Sequence, residues 1–142
     1  MERVLLDTDV ILDYLLKRPP FDKDTLALFQ WAEQGRLEIG VSALSFSNIF
    51  YIANKILNRD KALDLLNLLD DLVTACPVGQ STIRLALQSK FTDFEDAIQH
   101  FCALEANFAT LVTRNVRDYA KSELAIHTPD SFVKLLQKKP GF

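Results

Sequence analysis

The N-terminal stretch constrains the fold more than any other part of the chain, because a short apolar run there ends on an acid and a helical pattern follows at once. Residues 4–6 are too few for a buried helix but suit a strand covered on both faces, as in a parallel sheet. With Thr8 or Asp9 as the N-cap, apolar residues then recur at helical spacing: Val10, Ile11, Tyr14 and Leu15. Asp7 therefore lies where a strand passes into a helix. In open α/β proteins that edge of the sheet is where ligands bind.

Strand-like and helical segments alternate along the rest of the chain. Further strands are predicted at residues 37–41, 73–78, 109–113 and 124–127. Helices are predicted up to residue 34 from Asp22 or Asp24, up to 57 from Ser42 or Ser45, and up to 107 from Thr92 or Asp93. Others are predicted at 61–72 and 81–89, with a turn of helix at 116–119 and a closing helix capped by Asp130 or Ser131. This alternation predicts an α/β protein, a three-layer α/β/α sandwich with a mostly parallel central sheet of about five strands.

Size and charge narrow the functional classes. A chain of 142 residues with 49% hydrophobic and 25% charged residues is predicted to form one globular domain over residues 1–142. The net charge of −3 gives no general basic surface, so any contact with nucleic acid must be local. Cys76 and Cys102 lack metal-ligand spacing and indicate a reducing compartment. No signal peptide or membrane span is expected, which predicts a soluble cytoplasmic protein.

Two further polar clusters are placed to meet Asp7. Asp93 and Asp96 fall on one face at the start of a predicted helix. Thr113, Asn115 and Asp118 follow a predicted buried strand, and they would face the same crevice if that strand neighbours the first one. Carboxylates brought together raise one another's pKa, and a hard divalent cation commonly relieves the repulsion. With oxygen ligands only, the expected ion is Mg²⁺ or Mn²⁺, which typically serves phosphodiester chemistry.

Four segments carry a resemblance to a known family. They are LLDTDVILDYLL at the N-terminus, VSALSFSNIFYI, DFEDAIQHFCALE and LVTRNVRDY, which together span nearly the whole chain. In their order and spacing they resemble the PIN domain, a metal-dependent ribonuclease domain that also forms the toxins of VapBC-type toxin–antitoxin pairs. The resemblance implies an endoribonuclease that hydrolyses RNA with Mg²⁺ or Mn²⁺ and, for a toxin, a small antitoxin as partner. The apolar third and fourth predicted helices suit a homodimer or that antitoxin.

The resemblance also implies roles for individual residues. Asp7 matches the first metal-binding acid and Asp96 the central one, with Asp93 as a supporting carboxylate. Thr113, Asn115 and Asp118 fall at the last active-site position, and whether Asn115 or Asp118 is the ligand stays open. The chain departs from the family in its third helix. There Asn48 stands where many members carry a glutamate, which removes one negative charge and puts a second metal in question.

Other features leave alternatives open. Arg114 and Arg117 flank the expected crevice and either hold RNA phosphates or lie on a solvated face. His100, one helical turn after Asp96, is either a proton relay or a packing residue. A PIN domain that binds RNA or a partner protein without cutting is the main alternative function, motivated by Asn48. A second alternative is a haloacid-dehalogenase-type phosphatase, since residues 7–9 form a DxD pattern, although the chain lacks the later Gly-Asp pair of that class.

Overall fold

In the computed structural model, which describes residues 1–142, strands and helices alternate along the chain. The strands are β1 (Glu2–Leu6), β2 (Leu37–Ser42), β3 (Thr74–Cys76), β4 (Thr110–Val112) and β5 (Ala125–His127). The helices are α1 (Thr8–Leu15), α2 (Asp22–Glu33), α3 (Ala43–Ile56), α4 (Arg59–Leu72), α5 (Gln80–Gln88), α6 (Phe94–Glu105) and α7 (Pro129–Gln137), with a 3₁₀ helix at Val116–Tyr119. None of the helices has both the length and the apolar character needed to cross a bilayer.

The five strands form one parallel sheet in the order β3-β2-β1-β4-β5. β1 lies at the centre and pairs with β4, so that Leu6 is opposite Val112. The sequence predicts that Thr113 faces the same crevice as Asp7 only if these two strands are neighbours. Asp7 and Thr113 do follow neighbouring strands, at the same edge of the sheet. The predicted α/β fold with a parallel central sheet is confirmed.

The central strand is buried on both faces, as its apolar run predicts. Val4 and Leu6 belong to the larger core cluster, which includes residues of helices α1, α2, α3, α4 and α7. Leu5 points to the opposite face and packs in a second cluster with Phe108, Leu111 and residues of α6. Helices therefore cover both sides of the sheet, and only its edges and its ends are left for polar groups.

Several details of the elements differ from the sequence prediction, among them the start of α4, which is at Arg59 and not at residue 61. Asp7 itself caps α1, since its side chain accepts a hydrogen bond from the backbone N–H of Thr8, so the prediction of Thr8 or Asp9 as the cap was wrong. Thr128 caps α7 in a reciprocal pair with Ser131, instead of Asp130 or Ser131. β3 ends at Cys76 because Pro77 has no N–H to continue the ladder.

Candidate active site

A crevice of about 540 Å³ opens at the carboxyl ends of β1 and β4. It brings together most of the residues that the sequence singled out: Asp7, Asn48, Asp93, Asp96, Thr113, Arg114, Asn115 and Asp118. Arg117 lies outside this crevice and lines a smaller pocket beside it. Only two of the fourteen lining residues are hydrophobic, so the crevice suits a polar ligand.

Asp7 is held from several sides. Thr113 Oγ1 donates to its Oδ2 at 2.9 Å, and the backbone N–H of Thr8 donates to its Oδ1 at 2.7 Å. The backbone N–H of Asp7 continues the β1–β4 pairing by donating to the carbonyl of Val112 at 3.0 Å. Burial raises the pKa of the Asp7 carboxyl, whereas the hydrogen bond from Thr113 acts to lower it. The result is a carboxylate of fixed orientation.

Gln99 on α6 is a site residue that the sequence analysis did not identify. Its Nε2 lies 3.0 Å from Ser45 Oγ, 3.3 Å from Thr8 Oγ1 and 3.4 Å from Asp7 Oδ1, so that one amide joins α6 to α1 and α3. Its Oε1 is buried and accepts no hydrogen bond. The available signal was a polar residue one helical turn after Asp96, on a helix whose neighbouring residues Ala97 and Ile98 are buried.

Asp93 and Asp96 stand together at the start of α6. Asp93 caps the helix, with its Oδ1 accepting a hydrogen bond from the N–H of Asp96 at 3.0 Å. The buried Tyr119 hydroxyl donates to Asp96 Oδ1 at 3.3 Å. Burial raises the pKa of Asp96 to about 7, and the charges of Asp7, Asp93 and Asp118 act in the same direction. The crevice therefore holds more negative charge than its own positive side chains neutralise.

The last active-site position is shared by two candidates. Asn115 lies three residues after the end of β4, is exposed, and donates its backbone N–H to Thr113 Oγ1 at 3.2 Å. Asp118 lies in the 3₁₀ helix, lines the crevice, and is near enough that its charge raises the pKa of both Asp7 and Asp96. Asn48 lies on the facing wall, which α3 supplies.

Arg114 lines the crevice, but its charge is already engaged. Its Nε lies 3.1 Å from Oδ2 of Asp13, whose side chain is fully buried, and its guanidinium stacks on the ring of Phe21 at 4.4 Å. Arg18 Nε approaches the other oxygen of Asp13 at 2.9 Å. This ion pair cannot be seen in the sequence, where Asp13 is one polar residue in a helical pattern. Arg114 thus supports the wall of the crevice.

His100 does not line the crevice. Its Nδ1 lies 2.9 Å from Ser122 Oγ, and its ring packs 4.9 Å from that of Phe91. Burial lowers the pKa of this histidine. These contacts favour the packing role among the two alternatives.

The donors in the crevice are oxygen atoms of carboxylates, amides and hydroxyls. No three His, Cys, Asp or Glu side chains are grouped closely enough to hold an ion by themselves. Such a donor set fits Mg²⁺ or Mn²⁺, because Mg²⁺ is usually bound by one or two carboxylates together with water and substrate phosphate.

A sequence profile described as "PIN domain" matches residues 3–117, which is most of the chain. The chain belongs to the PIN domain family. No curated protein sequence matches it significantly.

Solved structures of PIN toxins share the fold. VapBC2 from Rickettsia felis, bound to a DNA fragment from its promoter, superposes with a TM-score of 0.69 at 15% identity, covering 89% of this chain and 98% of that one. DNA-bound VapBC from Salmonella typhimurium superposes with a TM-score of 0.70 at 14% identity, covering 91% of this chain and 99% of that one. VapC20 from Mycobacterium tuberculosis, described as a sarcin-ricin loop cleaving toxin, superposes with a TM-score of 0.66 at 12% identity, covering 85% of this chain and 98% of that one. At these identities the likeness shows the fold.

Proposed function

We propose that this PIN domain is a metal-dependent endoribonuclease that hydrolyses RNA phosphodiester bonds and acts as the toxin of a toxin–antitoxin pair. The observation that carries the proposal is the concentration of carboxylates in one crevice, where burial and the charge of Asp7 raise the pKa of Asp96 to about 7. Repulsion of this kind is relieved by a divalent cation. As a toxin that cuts cellular RNA, it would act in the cytoplasm.

Asp7 and Asp96 would hold Mg²⁺ or Mn²⁺, with Asp93, Asn115 and Asp118 contributing directly or through water. A bound ion supplies a more acidic water and positive charge that offsets the charge of the phosphate. Thr113 and Gln99 keep Asp7 in one orientation, and Tyr119 does the same for Asp96. Such fixed orientation is what positioning in an active site requires.

A second candidate is a PIN domain that binds RNA or a partner without cutting. The observation behind it is Asn48, a neutral side chain on the crevice wall where many family members have an acid. The phosphatase alternative has less support, since no lysine lines the crevice of Asp7. Metal-dependent cleavage separates the first two candidates.

The toxin assignment predicts two protein partners. Several structural relatives are toxin–antitoxin complexes, among them one from Klebsiella pneumoniae, which supports a small antitoxin for this chain as well. α3, α4 and the turn between them expose apolar side chains to solvent, namely Tyr51, Ile56, Leu57 and Leu68. We assign this surface, which we call the α3–α4 patch, to a homodimer or to the antitoxin.

The test is cleavage of a pool of structured and single-stranded RNAs in Mn²⁺, Mg²⁺ or EDTA. We expect the wild type to cut only with metal and Asp96→Asn to lose cutting. Asp71→Asn, an exposed acid of α4 away from the crevice, is the matched control and should cut normally. If folded wild-type protein binds Mn²⁺ and RNA but leaves the whole pool intact, the binding-module function replaces the nuclease.

A further inference from the structure

A second pocket of about 300 Å³ adjoins the acidic crevice. The two share Asp93, Asp96 and Asp118, so a ligand in the second pocket would lie directly beside the carboxylates of the proposed active site. The far wall of the second pocket differs in chemistry. Its remaining lining residues are Phe91, Thr92, Arg117, Ala120 and Lys121, which include an aromatic ring, a hydroxyl and two cations. Lys121 Nζ donates to the backbone carbonyl of Lys90 at 2.7 Å and keeps its positive charge.

The charges of the two openings favour the second pocket for a polyanion. Six acids line the main crevice: Asp7, Asp9, Asp93, Glu95, Asp96 and Asp118. Its one cation, Arg114, is paired with the buried Asp13. By contrast, the guanidinium of Arg117 forms no ion pair and no side-chain hydrogen bond, although carboxylates line the same pocket. A free cation beside the site is available for phosphate.

Phe91 is fixed in place as an aromatic surface. Its ring packs against those of His100, Phe101 and Tyr119, with centroid distances of 4.9, 6.4 and 6.1 Å. The side chain is only partly buried and lines the pocket. Nucleic-acid-binding proteins stack unpaired bases on aromatic rings held in this way, beside cations that contact the backbone.

The pocket is small for a ligand site and accommodates one nucleotide rather than a helical duplex. We propose that it binds an unpaired nucleotide next to the scissile phosphate, with Phe91 and Thr92 at the base and Arg117 and Lys121 at the adjoining phosphate. This inference rests on the proposed ribonuclease function. It adds to the proposed active site a neighbouring subsite for one nucleotide.

The experiment measures binding and cleavage separately. A short fluorescein-labelled RNA of mixed sequence is titrated with protein in Ca²⁺, alone or paired with its complement, and anisotropy gives the Kd. The variants are Arg117→Gln and Phe91→Leu, with Arg84→Gln as the matched control, since Arg84 is an exposed cation of α5 outside both pockets. Thermal unfolding reports whether Phe91→Leu has disturbed its aromatic neighbours, while exposed Arg117 carries no such risk.

We expect each pocket variant to weaken binding of single-stranded RNA about tenfold. Arg117→Gln should also lower the salt slope of log K by about one. Arg84→Gln should bind as the wild type does, Mn²⁺ affinity by calorimetry should be unchanged in Arg117→Gln, and the paired RNA should bind weakly to all variants.

The inference is overturned if Arg117→Gln binds single-stranded RNA as tightly as the wild type, or if paired RNA binds equally well. Metal-dependent cleavage of the same RNA by the wild type would then still support the nuclease. If the wild type neither binds nor cleaves any RNA, the proposed function fails and this inference fails with it.

Discussion

Single residues of the crevice show which part of a site is visible in a sequence. Asp7, Asp96 and Thr113 were predictable because each follows a strand or begins a helix, and the ends of these elements meet at one edge of the sheet. Gln99 and Asp13 were not, because their roles depend on partners that only the fold brings near. The amide of Gln99 reaches Asp7 across 92 positions of sequence.

Gln99→Leu should destabilise the protein. Leucine has a similar size but cannot donate to Asp7, Thr8 and Ser45, so each of these three side chains loses one hydrogen bond that joins α6 to α1 and α3. We expect a loss of about 1–3 kcal/mol in the free energy of unfolding, measured by urea denaturation in EDTA. The same titration on Gln88→Leu, an exposed glutamine at the end of α5, provides the control. Equal stability of the two variants would argue that the Gln99 amide contributes nothing to the site.

Asp96 makes the stability of the metal-free protein depend on pH. Its folded pKa of about 7 is above the ordinary value of 3.8, so the folded state holds a proton that the unfolded state releases between these values. The free energy of unfolding should therefore fall as pH rises from about 4 to about 7. Because the side chain is partly exposed and solvent screens its charge, we expect a loss of only about 1 kcal/mol.

Thermal unfolding in EDTA across this pH window tests the expectation. Asp96→Asn lacks the titrating group and should lose less stability than the wild type as pH rises, and Mn²⁺ at pH 7.5 or so should stabilise the wild type more than the variant. A wild-type profile that is flat, or that rises with pH in parallel with the variant, would contradict the raised pKa.

At the scale of elements, periodicity and apolar runs were enough to predict the order of strands and helices, because each buries a face against the sheet. The residues at which helices begin were harder to predict. Asp7, Thr8 and Asp9 can all cap a helix, and the choice of Asp7 follows from the β1–β4 pairing that fixes the backbone of residue 7. Pairing with a distant strand is not encoded in the local pattern. Cap choice therefore needs the sheet topology.

Packing between β2 and the loop before β4 gives an element-scale prediction. A Cβ atom at Gly40 would lie 2.5 Å from Cζ of Phe108, and the guanidinium of Arg3 lies 4.2 Å from the centroid of the same ring. We expect Gly40→Ala to cost about 1–3 kcal/mol of stability by overpacking, measured by urea denaturation. Combining it with Phe108→Leu should give a loss smaller than the sum of the two single changes. Strict additivity would show that the ring is not the obstacle.

At the scale of the whole molecule, the net charge of −3 hides an uneven distribution. Acids collect in the crevice, and the cations that line it or its neighbour are few: Arg114, Arg117 and Lys121. The overall composition thus gave no support for a nucleic-acid ligand. The support for an RNA substrate comes from where the acids and the cations lie in the two pockets. The fold also leaves the α3–α4 patch uncovered, and no sequence pattern distinguishes a buried apolar helix face from one reserved for a partner.

Assembly through the α3–α4 patch is the prediction that belongs to this scale. Ile56 is 59% exposed at the end of α3 and is followed by Leu57, while Ile49 and Ala53 of the same helix are buried. If the patch forms a homodimer, Ile56→Lys should weaken self-association about tenfold or more, since a buried charge replaces an apolar contact. Sedimentation velocity over a range of concentrations measures the shift.

Leu87→Lys is the matched control for this test, because Leu87 is 68% exposed on α5, away from the patch. It should sediment as the wild type does, and neither variant should change Mn²⁺ binding, since neither residue lines the crevice. A wild type that remains monomeric at every concentration would exclude the homodimer and leave the patch to the antitoxin. Equal weakening by both lysines would instead indicate that the dimer contact lies elsewhere, because a specific interface responds to charge only where the partner excludes water.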